Sequence, residues 1–172
     1  MKNMRKKEYK KLEEYRQENV LKSMYYGRYF FIRYATVTLF FINLYWVMSF
    51  IVSSMNLAVL LPAILTCVAL LGVWEQSRMF TTEQREASRT RLLYQIIIIT
   101  NTFMLFLLLV NHYQYFYPFL ANSEQVRVSL LVILLLGLGL AVAILQKLNK
   151  IRQGVDKQYY RIQQYLVNMK TK

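Results

Sequence analysis

Apolar residues in this chain are gathered into long runs rather than interleaved with charge on the scale of a helical turn. Residues 34–74 carry no charged side chain, residues 92–123 carry none if His112 is neutral, and residues 128–146 form a third such stretch. About 20 residues of helix cross the hydrocarbon core of a bilayer, so the third run matches one crossing. The first, 41 residues long, matches two. Its only polar, turn-prone cluster is Ser53, Ser54 and Asn56, which divides it into an antiparallel hairpin. The pattern predicts an all-α integral membrane protein whose four transmembrane helices form two antiparallel hairpins, with spans at residues 29–52, 57–74, 92–113 and 128–146.

The flanking segments read as helix too. Residues 1–27 are charged, free of proline and rich in helix formers, which predicts a basic helix, with Glu18 and Lys22 paired one turn apart and Gly27 as a break before the membrane. Residues 28–149 form the transmembrane domain, with a polar loop at 75–91. In that loop Thr81 and Gln84 have capping-box spacing, so the third helix is expected to start about three turns before the membrane. Pro62 sits early in the second span, where a missing N–H matters least. Residues 150–172 are predicted to be a basic amphipathic helix continuing from the last span, bent at Gly154. Leu148, Ile151, Val155, Tyr159, Ile162, Leu166 and Met169 recur at three- and four-residue steps and form its apolar face, a candidate docking surface for a partner helix or the membrane.

Charge orients the bundle. Ten basic residues lie at or before Arg33, none between the first two spans, four in the middle loop, one, Arg127, in the last loop and seven in the tail, which together are all 22. This alternation follows the positive-inside rule and places both termini and the 75–91 loop in the cytoplasm. Aromatic residues agree: Tyr113, Tyr115, Phe116 and Tyr117, closed by Pro118, mark the far interface, and Tyr25, Tyr26, Tyr29 and Tyr34 the near one. A net charge of +13 would suggest nucleic acid in a soluble chain. Beside membrane spans it points instead to anionic lipid headgroups, so no nucleic-acid partner is expected.

Candidate chemistry is sparse. Cys67 is the only cysteine and His112 the only histidine, so neither a disulfide nor a metal centre is expected, and no phosphate loop, carboxylate pair or nucleophile elbow appears. No cofactor or catalytic residue is assigned. Asn43 and Asn101 are the intramembrane amides best suited to join helices, a bond worth about 0.6–2 kcal/mol, or to line a polar path. Small residues supply packing faces: Ala58, Pro62, Leu65, Ala69 and Gly72 on the second span, and Gly137, Gly139, Ala141 and Ala143 on the fourth.

Together these features predict a non-enzymatic accessory, scaffold or regulatory subunit of a membrane complex, in a bacterial cytoplasmic membrane, meeting a membrane-protein partner or its own copies. A small oligomeric transporter or channel is the first alternative. The second is a membrane-shaping or holin-like protein, since two hairpins and an amphipathic tail resemble the general plan of reticulon-like curvature proteins, and phage holins combine spans with a basic tail.

Overall fold

The computed structural model describes residues 2–53, 55–78 and 87–170, with backbone alone for residues 2–7, 9, 10 and 170. Five helices account for nearly all of it: α1 (Lys2–Ser53), α2 (Leu60–Arg78), α3 (Ser88–Leu109), α4 (Glu124–Arg152) and α5 (Lys157–Lys170). Short 3-10 turns at Leu57–Val59 and Tyr113–Tyr115 complete the described elements, among which there are no strands. Four helices are long and apolar enough to cross a membrane. Successive helices pack side by side, α1 on α2, α2 on α3 and α3 on α4, and α5 folds back onto α1. One end of the bundle carries both chain termini and most of the charge. The other carries the aromatic loop.

The first hairpin turns where Ser53 and Asn56 predict. Asn56 caps the 3-10 turn by accepting from the Ala58 N–H at 3.0 Å, and its Nδ2 donates to the Tyr115 carbonyl at 3.2 Å, tying the two loops of this end together. Pro62 falls in the first turn of α2, where no intrahelical N–H bond is lost.

Three boundaries differ from expectation. Gly27 does not break the chain, and α1 runs unbroken for 52 residues. A single interior glycine costs a helix only about 1 kcal/mol relative to alanine, too little to interrupt a run of good helix formers. The third span was expected to reach residue 113, but α3 ends at Leu109. Asn111 there takes a left-handed φ of 66°, and the N–H groups of Asn111 and His112 bond back to the Leu108 and Leu107 carbonyls, a Schellman closure that asparagine tolerates. The tail is not a bent continuation of α4. Gly154, at φ 67°, closes α4 in the same way, with its N–H on the Ile151 carbonyl and that of Val155 on the Lys150 carbonyl, and α5 starts as a separate helix. Thr81, Gln84 and Arg85 lie outside the described residues, as does Ser54.

The aromatic loop covers the end of the bundle. The Trp46 indole on α1 stacks on Tyr117 with ring centres 4.9 Å apart and donates to the Phe116 carbonyl at 3.1 Å. Phe50 meets Phe119 edge-on at 6.3 Å, and Tyr113 is buried with its hydroxyl on Asn122. Burial pushes the Tyr117 phenol above its ordinary pKa.

Pro62, Leu65, Ala69 and Gly72 are buried on one face of α2, and Ala58 is buried in the 3-10 turn that precedes it. A Cβ on Gly72 would lie 3.4 Å from Leu93 and 3.5 Å from Thr36, so α1 and α3 both approach α2 closely at this point. On α4 the small residues split between two faces. Ala141 is fully buried and Gly137 lies under the Asn101 side chain, whereas Gly139 and Ala143 point away from the chain's own core, with open space beside Gly139.

The apolar core is in two parts, one built around Ile32, Leu65, Leu93, Ile97 and Ile144 and the other around Met104, Leu108, Leu130 and Leu134. Thr36 of α1 bonds Tyr94 of α3, and these two helices run in the same direction. Asn43 and Asn101 each lie seven residues further on, about 10 Å along their own helices at 1.5 Å per residue.

Gly137→Ala is expected to place a methyl group 2.8 Å from the Asn101 amide nitrogen, forcing the amide aside and costing about 1–3 kcal/mol. Unfolding of the purified protein in detergent checks this, and Gly137→Ala combined with Asn101→Ala should recover part of the loss.

Candidate functional site

Polar side chains converge where α1, α2 and α3 meet at the basic end. α3 opens at Ala87, a residue with no side-chain acceptor for the free N–H groups of the first turn. Glu75 of α2 supplies one. Its carboxylate accepts from the backbone N–H of Arg89 at 3.0 Å, from that of Thr90 at 2.8 Å and from the Thr90 hydroxyl at 3.0 Å. A negative charge here also meets the positive end of the α3 dipole. Glu75 thereby caps a neighbouring helix.

One residue on, Gln76 is 1 % exposed. Its Nε2 donates to Thr36 Oγ1 on α1 at 2.9 Å and to Thr90 Oγ1 on α3 at 3.2 Å, so a single amide ties three helices together. Thr36 in turn donates to the Ile32 carbonyl at 2.8 Å and meets the Tyr94 hydroxyl at 3.1 Å. Arg33 donates to the Gln76 backbone carbonyl at 2.9 Å, near the end of α2, and lies over the Tyr26 ring. Thr36, Thr90 and Tyr94 are fully buried. Both Gln76 donors are used, while its amide oxygen is buried without a partner.

A second feature joins the terminal segments. Arg28 of α1 is 3 % exposed and grips Asp156, in the α4–α5 joint, by two parallel hydrogen bonds. Nε donates to Oδ2 at 3.1 Å and Nη2 to Oδ1. The guanidinium also donates to the Ile151 carbonyl at 3.4 Å and lies over the Tyr159 ring at 5.3 Å. Fork-to-fork pairing of this kind is strong and geometrically selective. Removing one partner of a buried pair leaves an uncompensated charge, at a cost of about 3–5 kcal/mol.

From this anchor α5 lies along α1. Gln17, Leu21, Met24, Tyr25 and Arg28 are the buried or half-buried residues on one face of α1, spaced at helical intervals on the N-terminal side of the anchor. Tyr159, Ile162, Leu166 and Met169 are their counterparts on the C-terminal side of Asp156. The two helices therefore run antiparallel as an arm beyond the bundle. The apolar stripe expected from Leu148 to Met169 is divided by this arrangement: Leu148 and Ile151 belong to the bundle core, Val155 is exposed, and Tyr159, Ile162, Leu166 and Met169 turn toward α1. The outer faces of the arm still expose Leu12, Tyr15, Tyr160 and Val167. Glu18 and Lys22 pair at 2.8 Å on its surface, where the carboxylate holds the Lys22 ammonium above its ordinary pKa.

Asn43, 6 % exposed, donates to the Leu39 carbonyl of its own helix at 2.8 Å instead of to a neighbouring helix. Asn101 is half-buried against Gly137. Among the described residues no three His, Cys, Asp or Glu side chains come together as a metal site would need. Sequence reasoning missed Gln76, Thr90, Arg28 and Asp156. Two signals were available: Asp156 is the only acid after Glu124, and Gln76 continues the alternating four- and three-residue steps of Leu65, Ala69 and Gly72.

These features define an all-helical protein with four helices able to cross a membrane, a polar node at one end and a clamped two-helix arm. No family model matches the chain, and neither a curated protein nor a solved structure is similar to it.

Thr36→Val keeps the side-chain shape but removes the oxygen that receives Gln76 and Tyr94, and is expected to lose about 1–3 kcal/mol. Thr36→Ser should retain most of it. Denaturation of both variants in detergent gives the comparison.

Proposed function

We propose that this chain is a non-enzymatic accessory, scaffold or regulatory subunit of a membrane complex in a bacterial cytoplasmic membrane, with both termini in the cytoplasm. The observation that carries this reading is the continuity of α1. A span and a cytoplasmic arm that are one helix of 52 residues cannot move independently, and the Arg28–Asp156 clamp adds α5 to the same unit. Force or displacement applied to the arm by a partner would reach the bundle through α1. The partner surface is the outer side of the arm, where Leu12 and Tyr15 on α1 and Tyr160 and Val167 on α5 stand in water flanked by basic residues. The alternation of basic residues along the chain supports the cytoplasmic placement.

A second reading, a small oligomeric transporter or channel, draws support from Asn43 and Asn101, two amides within long apolar runs, where such groups join helices or line a polar path. The membrane-shaping or holin-like reading keeps the support of the two hairpins and the amphipathic α5.

A photo-reactive residue at Leu12 or Tyr15 in the tagged full-length protein is expected to form a discrete adduct with another protein in intact cells, and Leu12→Asp with Tyr15→Asp should abolish it while the protein stays in the membrane. Co-purification with an unchanged set of proteins after that double substitution would sink the arm as the partner surface. Labelling of either terminus by an impermeant reagent outside intact cells would overturn the orientation. For the channel reading, proteoliposomes should show solute flux that falls when Asn43 and Asn101 are both changed to alanine.

A further inference from the structure

The joint between α4 and α5 lies at membrane-surface depth. Arg152 is six residues beyond Gln146, the last residue of its uncharged run, and Arg28 is six residues before Tyr34, the first of another. With the first span starting at residue 29, Arg28 lies at the edge of the apolar core and Arg152 about 9 Å beyond it, both within reach of the headgroup layer. α5 leaves this level through Gly154, and it is the most amphipathic of the helices, with Tyr159, Ile162, Leu166 and Met169 on one side and exposed Lys157 and Arg161 on the other. Residues 157–170 contain no acid. Such a helix suits an anionic bilayer surface as well as it suits α1. Its hold on α1 includes Asp156, whose two carboxylate oxygens occupy the fork of Arg28. A phosphodiester offers two oxygens in the same geometry, and Arg28 is at the depth where lipid phosphates lie.

We infer that α5 is a displaceable surface helix: anionic phospholipid competes with Asp156 for Arg28 and draws α5 from α1 onto the bilayer, uncovering the Gln17, Leu21, Met24 and Tyr25 face of α1. This goes beyond the accessory-subunit reading and holds whether or not a partner protein exists. Lipid composition thereby decides whether that face of the arm is covered.

The test uses the full-length protein with Cys67→Ser, Gly27→Cys and Gln158→Cys. A Cβ at Gly27 lies 3.8 Å from Gln158 Nε2, so there is room for the new side chain. The protein is reconstituted in phosphatidylcholine vesicles or in vesicles containing phosphatidylglycerol, and a short thiol-reactive cross-linker reports docking. Cross-linking should be efficient in neutral vesicles and fall at least about five-fold in anionic ones. Asp156→Asn should lower it already in neutral vesicles. In parallel, a nitroxide on Met169→Cys should become less accessible to a water-soluble relaxation agent and more accessible to oxygen in anionic vesicles. Equal cross-linking in the two lipid compositions overturns the inference, and so does a loss of cross-linking with the nitroxide still exposed to water. If Asp156→Asn does not reconstitute, the lipid comparison on the parent pair decides alone.

Discussion

A helix that ends beside a bilayer leaves backbone N–H and C=O groups with little water to bond, and the arrangement of this bundle follows from how those groups are satisfied. At the basic end each helix completes its neighbour. Glu75 of α2 accepts from the first turn of α3, Arg33 of α1 donates to a carbonyl near the end of α2, and Gln76 bridges hydroxyls on α1 and α3. None of these bonds is within one helix, so together they fix the rotation and depth of three helices at once. At the other end Asn56 links the two loops, Trp46 holds the aromatic loop over α1, and Asn111 turns the chain out of α3. The spans are pinned at both ends by polar contacts.

Between these ends the hydrophobic effect gives little reason for helices to prefer one another over lipid, and close approach has to do the work. Gly72 lets α1 and α3 come near α2, and Gly137 accommodates the Asn101 amide between α3 and α4. The second contact lies between the two parts of the apolar core.

Outside the bundle the arm joins the Arg28–Asp156 ion pair to the packing of Ile162 and its neighbours on α1. α1 projects as a helix whose charged surface would give it little stability alone, and it gains a partner only because Gly154 reverses the chain and Asp156 reaches Arg28. The same pair keeps the basic, amphipathic α5 from exposing its apolar side.

That four helices are long and apolar enough to cross a membrane was legible in the chain by itself, because exclusion of charge over about 20 residues is a local, one-dimensional property. So were the hairpin turn at Asn56 and the small-residue face of α2, which need only spacing along one helix. Gly27 could not be judged locally: whether a glycine breaks a helix depends on what lies on either side of it, and here α1 continues past it with α5 alongside. The stripe from Leu148 to Met169 was legible as apolar, yet its division between the core and α1 was not, since periodicity does not say that Gly154 takes a left-handed conformation and turns α5 back. Glu75 with Thr90, Gln76 with Thr36 and Arg28 with Asp156 are bonds between residues 15 to 128 positions apart. Hydrogen bonds act over about 3 Å in space and carry no periodic trace in sequence, so only the packing of the helices could decide them.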